Sequence, residues 1–279
     1  MVKIVGDTLS CLPLDLVHRL GIGYLPQIIE FGEEAYRDDT EIDSLTFLKK
    51  LRSSPALPKT AAPPPALYNP IFERILAEGH TPVVICPSGQ LSGTLRSAEV
   101  AKKDFPGADI RIIDAQSVGG GLGAMIMKAY EWAGQGIDAD TIVQRIIAMA
   151  ARERILFLVD TLEYLQKGGR IGKAKALFGS LLQMKPILTL KNGTIEPLEN
   201  QRTKRKALAR LCELVLQDCP RGEAATMCIM HADAEEEAQK LANFFSKELG
   251  IPNIPLYFLP PAVMVHAGPG ALGVSYFVA

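Results

Sequence analysis

Long apolar runs are missing from this 279-residue chain: no 18 consecutive apolar residues occur, so no segment is expected to cross a bilayer as a helix. The N-terminal MVKIVGDTLS has no apolar region behind a basic start, so no signal peptide is expected. Cysteine is scarce and scattered. Cys11, Cys86, Cys212, Cys219 and Cys228 include no CxxC, and the seven-residue step from Cys212 to Cys219 is not a zinc spacing. Free thiols in a reducing cytoplasm, with no metal or cofactor, are the expectation. The four histidines (His18, His80, His231, His266) form no HExxH set. Net charge is −1, so the protein as a whole is no polyanion binder. The basic run Arg202, Lys204, Arg205, Lys206 has no aromatics interleaved for base stacking, which disfavours nucleic acid. With 48% hydrophobic and 22% charged residues, an ordinary globular chain of one large or two medium domains remains.

Strand and helix signals alternate. VKIV (2–5), YLPQIIEFG (24–32), VVIC (83–86) and DIRIID (109–114) read as strands. PLDLVHRL (13–20), LTFLKKL behind Asp43 or Ser44, IFERILAEG (71–79) and LRSAEVAKKDF read as helices. The six prolines of 55–70 predict a loop at the start of that stretch. This alternation implies βαβ units and a parallel sheet. A helix from about Asp140 to Arg154 precedes ILFLVD (155–160), where a domain boundary is placed. Beyond it, Asn192-Gly193 between apolar-rich runs predicts a hairpin. Helices near 204–217 and 235–249 and strands at ATMCIMH, IPLYFLP and GALGVSYFV complete a mixed sheet covered by helices. Residues 151–210 carry thirteen Lys/Arg and five Asp/Glu, a basic segment suited to an anionic ligand or an acidic partner.

Five features invite chemistry. Ser88-Gly89-Gln90-Leu91-Ser92-Gly93-Thr94 follows a buried strand and opens a helix, where free N–H groups and hydroxyls favour an anion. GGGLGA (119–124) has a degenerate dinucleotide spacing and is read instead as close helix–sheet packing, with Asp138 and Asp140 at a helix start. Ser92, Asp114 or Asp160, and His266 follow the chain order of an α/β-hydrolase triad, yet the serine sits in GxxSG and not in the GxSxG elbow. His266 is placed in a Gly/Pro loop before the last strand. Arg170, in Lys167-Gly168-Gly169-Arg170-Ile171-Gly172, offers a planar fork to a carboxylate or phosphate.

Together IVGDTLSCLP (4–13), SGQLSGT (88–94), DTLEYLQKGGRIG (160–172), KPIL (185–188), RTK (202–204) and HAGPGALG (266–273) resemble the DegV family of bacterial fatty-acid-binding proteins, nearly end to end. The resemblance implies two α/β domains. Residues 1–155 would form an α/β/α domain with a parallel sheet, and residues 156–279 an α/β domain with a mixed sheet. A long-chain fatty acid would be held at or between them, with its carboxylate presented to a fatty acid kinase for acyl-phosphate formation. It implies a carboxylate site of Thr60, Ala61, Ser92, Gly93 and His266, with Arg170 and Arg202 in the head-group network or facing the partner. It implies a carrier and not an enzyme. Departures are visible: Thr60-Ala61-Ala62-Pro63-Pro64 stands where the family has Thr-Ser-Gln-Pro-Ser, so Ala61 offers only its N–H. Gly89 replaces a hydroxyl, and Gly6 stands where Thr is common. The alternatives are a serine hydrolase of acyl esters and a regulatory interaction protein that uses the basic segment.

Overall fold

The computed structural model describes residues 1–177 and 184–279. Strand β1 (Val2–Asp7) leads to helix α1 (Leu14–Leu20), β2 (Gly23–Leu25), β3 (Ile28–Phe31) and β4 (Glu34–Arg37). Helix α2 (Ser44–Ser53), β5 (Lys59–Ala61), α3 (Asn69–Ala77), β6 (Thr81–Cys86), α4 (Thr94–Lys102) and β7 (Arg111–Asp114) follow. Helices α5 (Gly120–Gly134) and α6 (Ala139–Arg152) precede β8 (Glu153–Leu158), and α7 (Glu163–Lys167) comes next. The chain continues through β9 (Lys185–Lys191), β10 (Thr194–Gln201), α8 (Lys204–Asp218), β11 (Met227–His231) and α9 (Glu235–Leu249). It closes with β12 (Leu256–Phe258), α10 (Pro261–Ala267) and β13 (Leu272–Phe277).

Three sheets result. β2-β1-β6-β7 is the expected parallel sheet. β10-β9-β8-β13-β11-β12 is the mixed one, parallel only where β11 meets β12. β4-β3-β5 is a small antiparallel sheet that the sequence patterns do not announce. The run 24–32 is split at Pro26: β2 joins the parallel sheet and β3 the small one, because proline cannot donate to a ladder. The Asn192-Gly193 hairpin forms as read, with both residues at positive φ (50° and 73°), the requirement of the tight turn between β9 and β10. Helix starts are built by side-chain caps: Asp43 receives the N–H of Thr46 at 2.8 Å and Asp138 that of Thr141 at 2.9 Å. The first turn of α5, the glycine-rich run, lies against β11 and β13, which is the close packing expected of it. One core joins the small antiparallel sheet to the mixed one, with Leu9, Phe47, Leu188, Met230 and Met264 in the same cluster. That core borders the cavity described next.

Candidate functional site

Three chain segments converge on one cavity. The edge strand β5 supplies Thr60, the turn after β6 supplies Ser92 and Gly93, and the end of α10 supplies His266. Each is fixed locally. The N–H groups of Leu91 and Ser92 both bond to the carbonyl of Ser88 at 3.0 Å, which curls the turn. The buried Ser88 hydroxyl bonds the carbonyl of Gly193 at 2.7 Å, docking the β9–β10 hairpin on that turn. Gly93 is the N-cap of α4, so the backbone donors of a helix start face the site.

His266 Nε2 lies 2.9 Å from Thr60 Oγ1. Its Nδ1 is buried and has no partner among the described residues. The ring is neutral at pH 7: burial, with the neighbouring Arg170 charge second, pushes its pKa down to about 4. Because Nδ1 has no partner among the described residues and lies beside Gly168 and the Arg170 charge, the tautomer protonated at Nε2 is the one that leaves no buried N–H unpaired, and in it the ring donates to Thr60. Gly168 makes this approach possible, since a Cβ there would run into His266 Nδ1. Arg170 donates from Nε to the Leu91 carbonyl at 2.9 Å and from Nη1 to the Gly168 carbonyl at 2.7 Å. It therefore ties the serine turn to the segment that supports His266.

Behind Ser92 runs a buried polar chain. Ser92 Oγ is 2.9 Å from Thr94 Oγ1 and accepts the Thr94 N–H at 3.2 Å. Gln27 Nε2 donates to Thr94 Oγ1 at 3.2 Å and to Asp7 Oδ2 at 3.0 Å. Asp38 Oδ1 accepts the Thr8 hydroxyl at 2.8 Å and the Gln27 N–H at 2.7 Å. Burial, with Asp38 as a second cause, raises the Asp7 pKa to about 8; burial raises that of Asp38 to about 7.

Away from these groups the cavity is apolar. Ile155, Phe157, Leu190, Ile195, Met230 and Leu272 of the mixed sheet form much of its wall, and the space, mouth included, is about 1020 Å³. A polar end with an apolar body suits an amphiphile.

Thr60, Ser92, Gly93, His266 and Arg170 thus share one cavity. Ala61 and Arg202 do not line it. Thr60 and Ala62 do, and Ala61 between them points to the other face of the strand. Arg202 is exposed beyond β10. His266 stands in the last turn of α10 and not in a loop as expected; Pro261 at the helix start and Gly268 after its end bound a seven-residue helix. The triad does not assemble among the described residues: Asp114 accepts the N–H of Gln116 at 2.8 Å, and Asp160 pairs with Lys204 at 3.4 Å. Asp138 caps α6 and Asp140 pairs with Arg111 at 2.5 Å, so neither serves a nucleotide. Gln27 and Thr94 are not among the site residues that the sequence points to. The Pro26-Gln27 break between two strands is the one signal toward the first of them.

The family model described as "Uncharacterised protein, DegV family" matches residues 1–279. The chain belongs to the DegV family. A DegV domain-containing protein of Streptomyces coelicolor is 35% identical over 98% of this chain and 97% of its own length. Among solved structures, a DegV family protein from Thermus thermophilus described by its fatty acid binding superposes with TM-score 0.91 at 29% identity, covering 100% of this chain and 99% of that one. DegV of Bacillus subtilis, described as a fatty acid binding protein, gives TM-score 0.88 at 30% identity over 100% and 99%. The DegV fold therefore accounts for both the parallel and the mixed sheet. Among the described residues no helix is long and apolar enough to cross a membrane.

Proposed function

We propose that this protein carries a long-chain fatty acid, holding its carboxylate at Thr60, Ser92 and Gly93 with His266 behind Thr60, and presents it to a fatty acid kinase. The observation that carries the reading is the cluster of hydroxyls and helix-start amides at one end of an otherwise apolar cavity. The DegV relatives of known structure that bind fatty acid support it. A 16-carbon tail gains roughly 12 kcal/mol of gross burial at ~0.8 kcal/mol per CH₂, the main favourable contribution set against the entropic costs of association. On this reading the halves 1–155 and 156–279 are the two domains. The first gives Thr60, Ser92 and Gly93; the second gives Arg170 and His266. The exposed Arg202 and Arg205 of the basic segment would face the acidic surface of a kinase. Five free cysteines fit a reducing cytoplasm.

Protein purified from a bacterial host is expected to carry about one fatty acid per chain, read by native mass spectrometry and lipid extraction. After delipidation it should take the acid up again at micromolar concentration; failure to do so would sink the carrier reading.

The carrier has no chemistry of its own. Ser92 Oγ is engaged by Thr94, and His266 Nε2 by Thr60, so among the described residues no base stands ready to activate the serine. A fluorophosphonate probe is expected to leave Ser92 unlabelled. Stoichiometric labelling that Ser92→Ala abolishes would put an acyl-ester hydrolase in its place.

A further inference from the structure

The carrier reading needs hydroxyls that give hydrogen bonds to a carboxylate, and a hydroxyl can as easily receive one. What sets the direction at Ser92 lies one residue further in. Gln27 is 2% exposed, yet it reaches the cavity wall. Its amide nitrogen has two hydrogens, and both are placed: one toward Asp7 Oδ2 at 3.0 Å and one toward Thr94 Oγ1 at 3.2 Å. Thr94 Oγ1, having accepted from Gln27, has one hydrogen to give. Two acceptors lie near it: Ser92 Oγ at 2.9 Å, and the Asp7 carboxyl, which burial keeps largely protonated at pH 7 and so makes the weaker acceptor. Ser92 Oγ then accepts twice, from the Thr94 hydroxyl and from the Thr94 N–H at 3.2 Å. Its own hydrogen is then left for the cavity that Ser92 lines.

We propose that Gln27 is a positioning residue that, through Thr94, turns the Ser92 hydroxyl into a donor and so makes the site select a carboxylate head group over a hydroxyl one. This rests on the carrier reading. The same logic operates at Thr60, which accepts from His266 Nε2 and keeps its hydrogen for the ligand. Ser92 and Thr60 thereby offer two donors to one head group. A carboxylate oxygen can only accept, so it depends on this orientation. A fatty alcohol gives and accepts alike, so the direction of the Ser92 hydrogen matters little to it. Chains of bonds that polarise one another strengthen each link, and removing the first link affects the last.

The test measures binding of a long-chain fatty acid and of the alcohol of equal chain length to the delipidated full-length protein. Gln27→Leu and Thr94→Val are each expected to weaken acid binding roughly three- to tenfold, with alcohol binding changed less than about twofold. Because both act through Ser92, the double variant should be no worse than either alone. Thr94→Ser keeps the relaying hydroxyl and should restore the parent's acid-to-alcohol ratio. Thr94→Val gives the same reading should Gln27→Leu fail to fold. If both variants weaken acid and alcohol equally, or leave the ratio unmoved, Gln27 serves packing and the proposal is overturned. If the parent itself binds neither ligand, it is the carrier reading that fails.

Discussion

Replacing His266 by alanine is expected to weaken long-chain fatty acid binding about 10- to 150-fold. The imidazole donates from Nε2 to Thr60 Oγ1 at 2.9 Å, which leaves the single Thr60 hydrogen for the carboxylate. Without the ring that hydroxyl loses its orientation, and the pocket gains open volume beside the head group. If Thr60 then turns away, its own hydrogen bond to the charged carboxylate is lost, worth ~1.5–3 kcal/mol, which corresponds to the stated range. The ring is neutral at pH 7, so the loss is one of direction and donation and not of a positive charge. Arg170→Ala should act differently. Its guanidinium is spent on the carbonyls of Leu91 and Gly168, so its removal loosens the serine turn and the support under His266 together. Equilibrium titration with a fluorescent fatty acid measures both. If His266→Ala binds like the parent, the carboxylate does not sit against Thr60.

How much of the molecule is legible in its sequence differs by element. Strands β1, β6 and β7 of the parallel sheet show as short runs rich in β-branched residues, whereas β2 hides in the longer run 24–32. The hairpin at Asn192-Gly193 is written in two residues that accept positive φ. The Ser88–Thr94 turn is equally plain, because small polar residues at a strand end have few other uses. By contrast, β5 is three residues inside a six-proline segment, where only an edge strand can form. Helix α10 is a single buried two-turn piece, and the Gly/Pro run behind it hides it in a loop reading. Its Pro260-Pro261 start is the available signal. Ala61 is named by a motif for its backbone N–H alone, and the two-residue period of β5 turns its side chain away from the cavity. Thr94 lies in the legible turn and Gln27 beside a proline break, but no pattern shows that the two act together. They meet across 67 positions of sequence, and their use lies in the direction of hydrogen bonds, which only packing defines.

The protein is expected to be most stable in mildly acid solution and to lose stability steadily toward pH 8. Three carboxyls and two histidines shifted by burial decide this. Burial raises Asp7 to about 8, and Asp38 and Glu153 to about 7 each. A carboxyl whose folded pKa lies above its unfolded value binds its proton more tightly in the folded state. Its contribution is fully present below the unfolded value near 4 and is lost as pH rises to the folded one. His266 has the opposite sign: lowered to about 4, it contributes fully above pH 6.5 and loses that contribution as pH falls toward 4. Between pH 5 and 6.5 three falling contributions therefore face rising ones from His266 and from His231, whose pKa burial also lowers, and above 6.5 the carboxyls act alone. Each tenfold change in proton affinity is worth ~1.4 kcal/mol, so Asp7 by itself costs about 4 kcal/mol between pH 5 and 8, a large share of the stability of a typical domain. Asp7→Asn removes that titration while keeping an acceptor for the Leu9 N–H, held at 3.1 Å in the parent. Urea unfolding of the delipidated protein at pH 5, 6.5 and 8 should show the parent weakening with pH and Asp7→Asn weakening much less. His266→Ala should steepen the decline between pH 5 and 6.5, since its opposing contribution is gone. A parent that becomes more stable from pH 5 to 8 would mean that these carboxyls ionise freely inside the folded protein, and the buried chain from Asp7 through Gln27 to Ser92 would then have to be redrawn around a full charge.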